Sequence, residues 1–297
     1  MNFAVYGRSF GNNFNGMAIQ LFEELKSKNV NIYIKDSFND FLNKKIKYYP
    51  VVKDVFSDKL PKKTKFDLML SIGGDGTFLE AATVVGDSGT PILGINTGKM
   101  GFLAYVNESN IIKAIEQFFN KEYLINKRML LTVESEDKFY GDINFCLNEL
   151  AIHKKAKLKM IKIKAYADDN YINTYWSDGI IISTPTGSTA YSLSCGGPII
   201  DPDADAIVIT PIANHNLTVR PLVLSGNSKI TIEIDSPEAN AMASMDYRTF
   251  YLSDKATKPN KIEIKKANFY INFVRLSDNN YFCTLRNKLM WGTDIRN

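Results

Sequence analysis

Cysteine and histidine are scarce in this chain. Its three cysteines, Cys146, Cys195 and Cys283, are odd in number and far apart. That excludes a disulfide framework and a paired-cysteine zinc pattern. His153 and His215 are the only histidines, too few for a histidine-based metal cluster, and each reads as structural. No apolar run approaches membrane-spanning length. Like charges do not form blocks either: the net charge is +4 and the lysines are scattered, so nothing reads as a nucleic-acid tail. The opening Met1-Asn2-Phe3-Ala4-Val5-Tyr6 reads as a first strand rather than a signal peptide. A reducing, cytoplasmic setting is expected, with no membrane and no nucleic acid among the partners.

Two nucleotide motifs are also missing. No GxGxxG follows a strand. Gly94-Ile95-Asn96-Thr97-Gly98-Lys99 has the wrong spacing for a Walker loop and is followed by Met100 rather than Ser or Thr.

What is present is an ordinary folded composition, 45% hydrophobic and 23% charged over 297 residues, with room for two domains. The first third alternates strands and helices. Phe3 to Tyr6 reads as a strand, Ala18, Leu21, Phe22 and Leu25 share a helical face, and Asn31 to Lys35 returns as a strand. Ser37 stands as a cap before Phe38, Phe41 and Leu42. Pro91 to Ile95 is a further buried strand, and Glu108 to Asn120 a further helix. Such alternation predicts a mostly parallel sheet covered by helices. From Leu130 onward the pattern changes to period two. Ile161, Ile163 and Ala165 alternate with Lys162, Lys164 and Tyr166; Ile230, Ile232 and Ile234 do the same. This predicts a second, all-β domain. Tyr281 to Leu289 turns helical again.

The stretch that organises the first domain is Leu68-Met69-Leu70-Ser71-Ile72-Gly73-Gly74-Asp75-Gly76-Thr77. A buried strand ends in three glycines, and a helix follows with Thr77 placed as its cap. Strand, glycine turn and helix start aim backbone N–H groups at an anion. Asp75 is the odd residue, because a carboxylate in a phosphate cradle needs a task. It can hold a divalent metal or take a proton from an attacking hydroxyl. An isolated GGDG would read as a tight turn; the flanking strand and helix make it a phosphate site.

The second chemical stretch runs from Trp176 to Pro202. A short strand, Ile180 to Ile182, leads into a loop with five hydroxyls between Ser183 and Thr189. Hydroxyls donate and accept, which suits ribose, phosphate and purine edges. The plain alternative, a polar turn capping a helix near Ser188, explains one or two of them and not five. Tyr191 offers a ring to stack on a base. Asn148-Glu149 adds a carboxylate and an amide inside an apolar strand, a device that binds ribose hydroxyls.

Taken together, Gly73-Gly74-Asp75-Gly76-Thr77, Asn148-Glu149, and Asp178-Gly179 through Tyr191 to Gly196-Gly197-Pro198 resemble the NAD kinase family. The likeness runs from about Asn2 to the C-terminal helix. It implies an α/β N-terminal domain over 1–125, with the helix at about 275–297 packing back on it, an all-β NAD-binding domain over 126–274, and an active site between them. It implies transfer of the γ-phosphate of ATP to the 2′-hydroxyl of the adenosine ribose of NAD, giving NADP. In that reading Asp75 is the proton acceptor, and Gly73, Gly74, Asp75 and Gly76 hold nucleotide phosphates. Asn148 and Glu149 grip substrate hydroxyls, and Asp178 contacts the nicotinamide part. Thr189, Ala190, Tyr191, Ser192, Leu193 and Ser194 wall the adenosine, with Ala213 lining it. A divalent cation, magnesium or manganese, comes with ATP, and the assembly is a homodimer or homotetramer. Two positions depart from the pattern. Trp176 stands where relatives often carry a basic residue. Asp246-Tyr247-Arg248 stands in place of an Asp-Gly-Gln-like turn, where Asp246 would bridge subunits and Arg248 would instead offer a phosphate donor.

Two other readings share these residues. A lipid or sphingoid kinase carries GGDG too, although no apolar cleft or amphipathic membrane-facing stretch is legible here. A non-catalytic NAD(P) sensor would gain nothing from Asp75.

Overall fold

The computed structural model describes residues 1–98, 101–155, 159–234, 241–252, 260–276 and 280–292. The chain forms two compact units, one of Met1–Lys127 with Ile271–Asn297, the other of Arg128–Tyr270.

The first unit runs β1 (Asn2–Gly7), α1 (Asn15–Ser27), β2 (Asn31–Lys35), α2 (Asp36–Phe41), β3 (Asp54–Phe56), β4 (Leu68–Gly73), α3 (Asp75–Val85), β5 (Ile92–Asn96) and α4 (Ile111–Phe119). Its strands lie in the order β3-β2-β1-β4-β5 and all neighbours are parallel. Every residue of β4 is buried, as a central parallel strand covered on both faces requires. On one face Phe3, Val5, Leu70 and Ile95 pack with Leu21, Phe22, Ile115 and Phe118 of α1 and α4. On the other lies α3, whose Glu80 takes the hydroxyl of Tyr6. Chain order reverses at β1, which has β2 on one side and β4 on the other. Gly7, Gly73 and Asn96 end their strands at the same edge of the sheet, so the loops that follow them share that edge. Ligands of open parallel sheets bind there, at the switch point.

Local starts differ from expectation. Gly74, in extended conformation, is the residue before α3, and Thr77 lies buried inside the helix. Asp75 therefore opens the helix instead of preceding it. Similarly α2 begins at Asp36, one residue ahead of Ser37. The segment expected as one helix at 108–120 is a 3-10 turn, Glu108–Asn110, followed by α4.

The second unit is built from β6 (Tyr123–Ser135, which starts in the first unit), β7 (Phe145–Cys146), β8 (Glu149–Lys154), β9 (Ile161–Ala167), β10 (Asn170–Ser177), β11 (Gly179–Ser183), α5 (Tyr191–Ser194), β12 (Ala206–Ile212), β13 (Leu222–Ser225), β14 (Ile230–Ile234), β15 (Ala241–Met245), β16 (Arg248–Tyr251) and β17 (Asn260–Leu276). One antiparallel set is β10-β9-β14-β17, the other β13-β12-β11-β8-β15-β16. Ile161, Ile163, Ile230 and Ile232 from the first set share a core with Leu150, Ile152, Ile180 and Ile207 from the second. The period-two isoleucines are what make that core, because alternate side chains of a strand face one way. The last six residues of β17 belong to the first unit, where Phe273 pairs with Ile92. Helix α6 (Tyr281–Leu289) belongs to that unit as well. Its Asn280 side chain accepts from the Phe282 amide, and Lys288 lies over the Phe102 ring.

Candidate active site

In the first unit the Gly73–Gly76 turn closes β4 and opens α3. No side chain caps the first turn of α3, which leaves its leading N–H groups for an anion. The Asp75 carboxylate is fixed by a second loop. Oδ1 accepts from the amides of Leu103 and Ala104, both at 3.0 Å, and Oδ2 accepts from Phe102 at 2.9 Å. That loop can close on Asp75 only because it begins with glycine. A Cβ on Gly101 would stand 1.9 Å from Oδ1. Asn96 steadies the loop from β5: its amide donates to the Ala104 carbonyl and its Oδ1 accepts from Gly98. Asp75 is half-buried, between exposed Gly74 and Gly76. On the same edge a cleft of about 800 Å³ is lined by Asn13, Met17, Asn96, Thr97, Asn107 and Glu108, among others. The 102–104 amides escaped sequence reading, since a backbone donor has no residue signature. The one nearby signal was Gly94 to Lys99, read only as a stretch that fails the Walker spacing.

In the second unit the expected strand from Phe145 to His153 breaks at Leu147-Asn148. The break is held by Asp246. Its carboxylate accepts from the amides of Leu147 at 2.9 Å, Asn148 at 2.7 Å and Glu149 at 3.3 Å. Asp246 itself has a left-handed backbone, φ 53°, at the β15–β16 turn. Arg248 gives its guanidinium to the carbonyls of Ile143 and Phe145. Asp246 thus braces Asn148-Glu149, and Arg248 braces the 143–145 stretch that precedes them. Burial, and next the neighbouring Asp246 charge, push the Glu149 carboxyl up to about 8, against the Tyr191 amide that holds it down. Burial also raises Asp246, against the three amides and Arg248.

The hydroxyl-rich loop divides by function. Thr184 donates to the Leu147 carbonyl at 2.6 Å and accepts from the Gly187 amide. Ser188 donates to the Pro185 carbonyl and accepts from the Ile200 amide, and Thr189 donates to Thr186. These three are struts, so the plain-turn explanation accounts for more of them than expected. Ser183 and Thr186 are different: their hydroxyls are buried without a partner, as are Asn148 Oδ1 and Glu149 Oε2. Ser183 pairs across the sheet with Glu149. Orphaned polar atoms this close together mark a place that a polar ligand completes. Gly187 lets the loop lie on the break, since a Cβ there would stand 2.2 Å from the Asn148 carbonyl oxygen.

The helix expected near Ser188 is a 3-10 turn at Thr186–Thr189 followed by the short α5. Ala190 precedes α5, and Leu193 and Ser194 complete it, half-buried and exposed respectively. Within α5, Ser192 is buried and bonded to Thr210, and Tyr191 is exposed. The Tyr191 hydroxyl is pushed up by burial and then by the charges of Cys195, Asp178 and Glu149. Asp178 forms an ion pair with Lys154 at 2.6 Å, a partner the sequence reading missed. Ala213 is exposed with φ 45°, a conformation rare for alanine and frequent where a site constrains the backbone. Trp176 is 51% exposed, with Lys162 over its ring.

The family described as ATP-NAD kinase N-terminal domain matches residues 12–123, and ATP-NAD kinase C-terminal domain matches 147–276. The NAD kinase of Flavobacterium psychrophilum is 42% identical over 299 residues, spanning all of both chains. That of Cytophaga hutchinsonii is 40% identical over 300 residues, again over all of both. The chain belongs to the NAD kinase family. It is accordingly a phosphotransferase. Among solved structures, yeast NADH kinase complexed with NADH superposes with a TM-score of 0.85 at 22% identity, over 100% of this chain and 89% of that one. An NAD kinase from Archaeoglobus fulgidus in complex with ATP gives 0.75 at 23% identity, over 98% and 99%. Both share the two-domain NAD kinase fold. Of the two matched NAD kinase domains, the N-terminal one carries the Asp75 cradle and the C-terminal one the Glu149 cluster. The lipid-kinase and sensor readings find no support among these relatives. Among the described residues no helix is long and apolar enough to cross a membrane.

Proposed function

We propose that the chain transfers the γ-phosphate of ATP to the 2′-hydroxyl of the adenosine ribose of NAD, giving NADP, with Asp75 as the proton acceptor. The hold of three amides on Asp75 carries this reading. A carboxylate offers about four lone-pair sites. Two amides occupy Oδ1 and one occupies Oδ2, which leaves Oδ2 a direction in which to accept the substrate hydroxyl. Gly73, Gly74 and Gly76 with the start of α3 receive nucleotide phosphates. Asn148 and Glu149 take substrate hydroxyls on the atoms now unpartnered. A carboxyl pushed up to about 8 is protonated at neutral pH, so it can donate as well as accept. Asp178 meets the nicotinamide part. Thr189 to Ser194 and Ala213 wall the adenosine, and Trp176 flanks Asp178. Asp246 acts by shaping the break rather than by bridging subunits, and Arg248 by bracing it rather than as a phosphate donor.

Among the described residues no group of three or more His, Cys, Asp or Glu side chains stands close enough to cage an ion. In this reading magnesium or manganese enters on the ATP phosphates, as the family resemblance implies, and neutralises charge during transfer. The three free cysteines suit a reducing cytoplasm, and the family resemblance alone supports a homodimer or homotetramer.

The test is a coupled assay of the purified chain with NAD, magnesium and ATP or polyphosphate. NADP should form, and Asp75→Asn should keep the fold while losing about 10²–10⁴ in turnover. NADP formation by the variant at the wild-type rate would remove Asp75 from the chemistry. No NADP with any donor would remove the reaction.

A further inference from the structure

We propose that Arg8 is a specificity-determining residue for the phosphate donor, held in place by Glu80 and Tyr6. The proposal deepens the reading above and rests on it.

Arg8 follows the last residue of β1, and its amide donates to the Ile72 carbonyl at 3.1 Å. It therefore stands beside the turn that begins at Gly73. This is the switch point between β1 and β4, where a crevice opens at the carboxyl edge. Tyr6 and Arg8 lie two residues apart, on the face of the sheet that carries α3. There Arg8 forks onto Glu80: Nε meets Oε2 at 2.9 Å and a terminal nitrogen meets Oε1. Tyr6 adds its hydroxyl to Oε2 at 3.0 Å. The Glu80 side chain is 9% exposed, but that of Arg8 is 65% exposed.

The asymmetry is informative. An ordinary surface pair leaves both side chains mobile and contributes little. Here one partner is an inner-face residue of the very helix whose start receives phosphate. A two-point fork fixes the plane of the guanidinium as well as its position. The result is an oriented cation, open to solvent, on a residue whose backbone lies beside the turn that opens α3, an end that favours negative charge. Several closely spaced anionic oxygens are the ligand this suits, and the phosphate chain of ATP supplies them. A merely structural Arg8 would serve only to neutralise Glu80.

The two roles separate by which substrate suffers. Calorimetric titration with MgATP in the absence of NAD reads donor affinity without turnover; steady-state kinetics read both KM values. Arg8→Ala should weaken ATP at least tenfold while the KM for NAD stays within twofold, and Arg8→Lys should fall between. Removing Arg8 alone leaves a buried carboxylate unpaired, which endangers folding. The double variant Arg8→Ala/Glu80→Gln avoids that, and should fold and show the same selective loss of ATP. ATP affinity within twofold of wild type in the folded double variant would overturn the proposal, as would an equal loss for NAD. A wild-type chain that binds ATP but forms no NADP would sink the reaction and leave Arg8 judged on binding alone.

Discussion

The proposed proton acceptor, Asp75, takes its aim from elsewhere in the chain. Three amides from a loop some 27 residues later hold both oxygens, and the loop reaches them because Gly101 has no Cβ. Gly101→Ala would set a methyl 1.9 Å from Oδ1, so carboxylate or loop must move. Turnover should fall by about tenfold to a hundredfold, since a misplacement of about 1 Å costs that much. The KM for NAD and the melting temperature should change far less. Stopped-flow or steady-state assay beside a melting curve checks both, and unchanged turnover would show that the loop does not position the base.

Elements set the rest of the geometry. Helix α3 starts at Asp75, after Gly74 and without a side-chain cap, which keeps its first amides available. In the second unit the break between β7 and β8 is shaped by Asp246 from another hairpin and covered by the Thr184–Thr189 loop. Gly187→Ala tests that cover. Its Cβ would meet the Asn148 carbonyl at 2.2 Å, and overpacking of this kind destabilises by about 1–3 kcal/mol. Because Asn148 would be displaced, the KM for NAD should rise while that for ATP holds. Denaturant titration and the two KM values decide it; equal effects on both substrates would detach the loop from NAD. Strands and helices of this kind were legible, because periods of 2 and 3.6 are written in the order of apolar residues. Element starts were less so. Thr77 has the side chain of a cap, yet the chain already turns helical at Asp75.

For the whole molecule, the consequence of burying Glu149 beside Asp246 is a dependence of stability on pH. Folded, its carboxyl holds a proton up to about 8; its ordinary value is 4.5. Between those limits the unfolded chain has lost a proton that the folded chain keeps. Stability therefore falls as pH rises through that window, by on the order of a few kcal/mol in all, and stays low above it. Glu149→Gln, which never ionises, should flatten the fall. At pH 8.5 it should melt about 5 °C or more above the native protein, and near pH 4.5 the two should coincide. Parallel melts across pH 4.5–9 check the slope, and a variant with the native slope would show that Glu149 is not the group responsible.

By itself the sequence determined the class of each unit and marked the candidate residues proposed for the chemistry: Asp75 after its glycines, Asn148-Glu149, and the loop ending in Tyr191. These are local patterns, and short-range backbone preference and apolar spacing suffice to write them. Only the tertiary structure decided which groups those residues face. Asp75 against the 102–104 amides, Asp246 beneath Asn148-Glu149, Arg8 forked on Glu80, and Thr184 and Ser188 as struts while Ser183 and Thr186 stay unpartnered are all contacts between distant segments. Their donors are often backbone groups that every residue carries, so nothing in the order of side chains announces them.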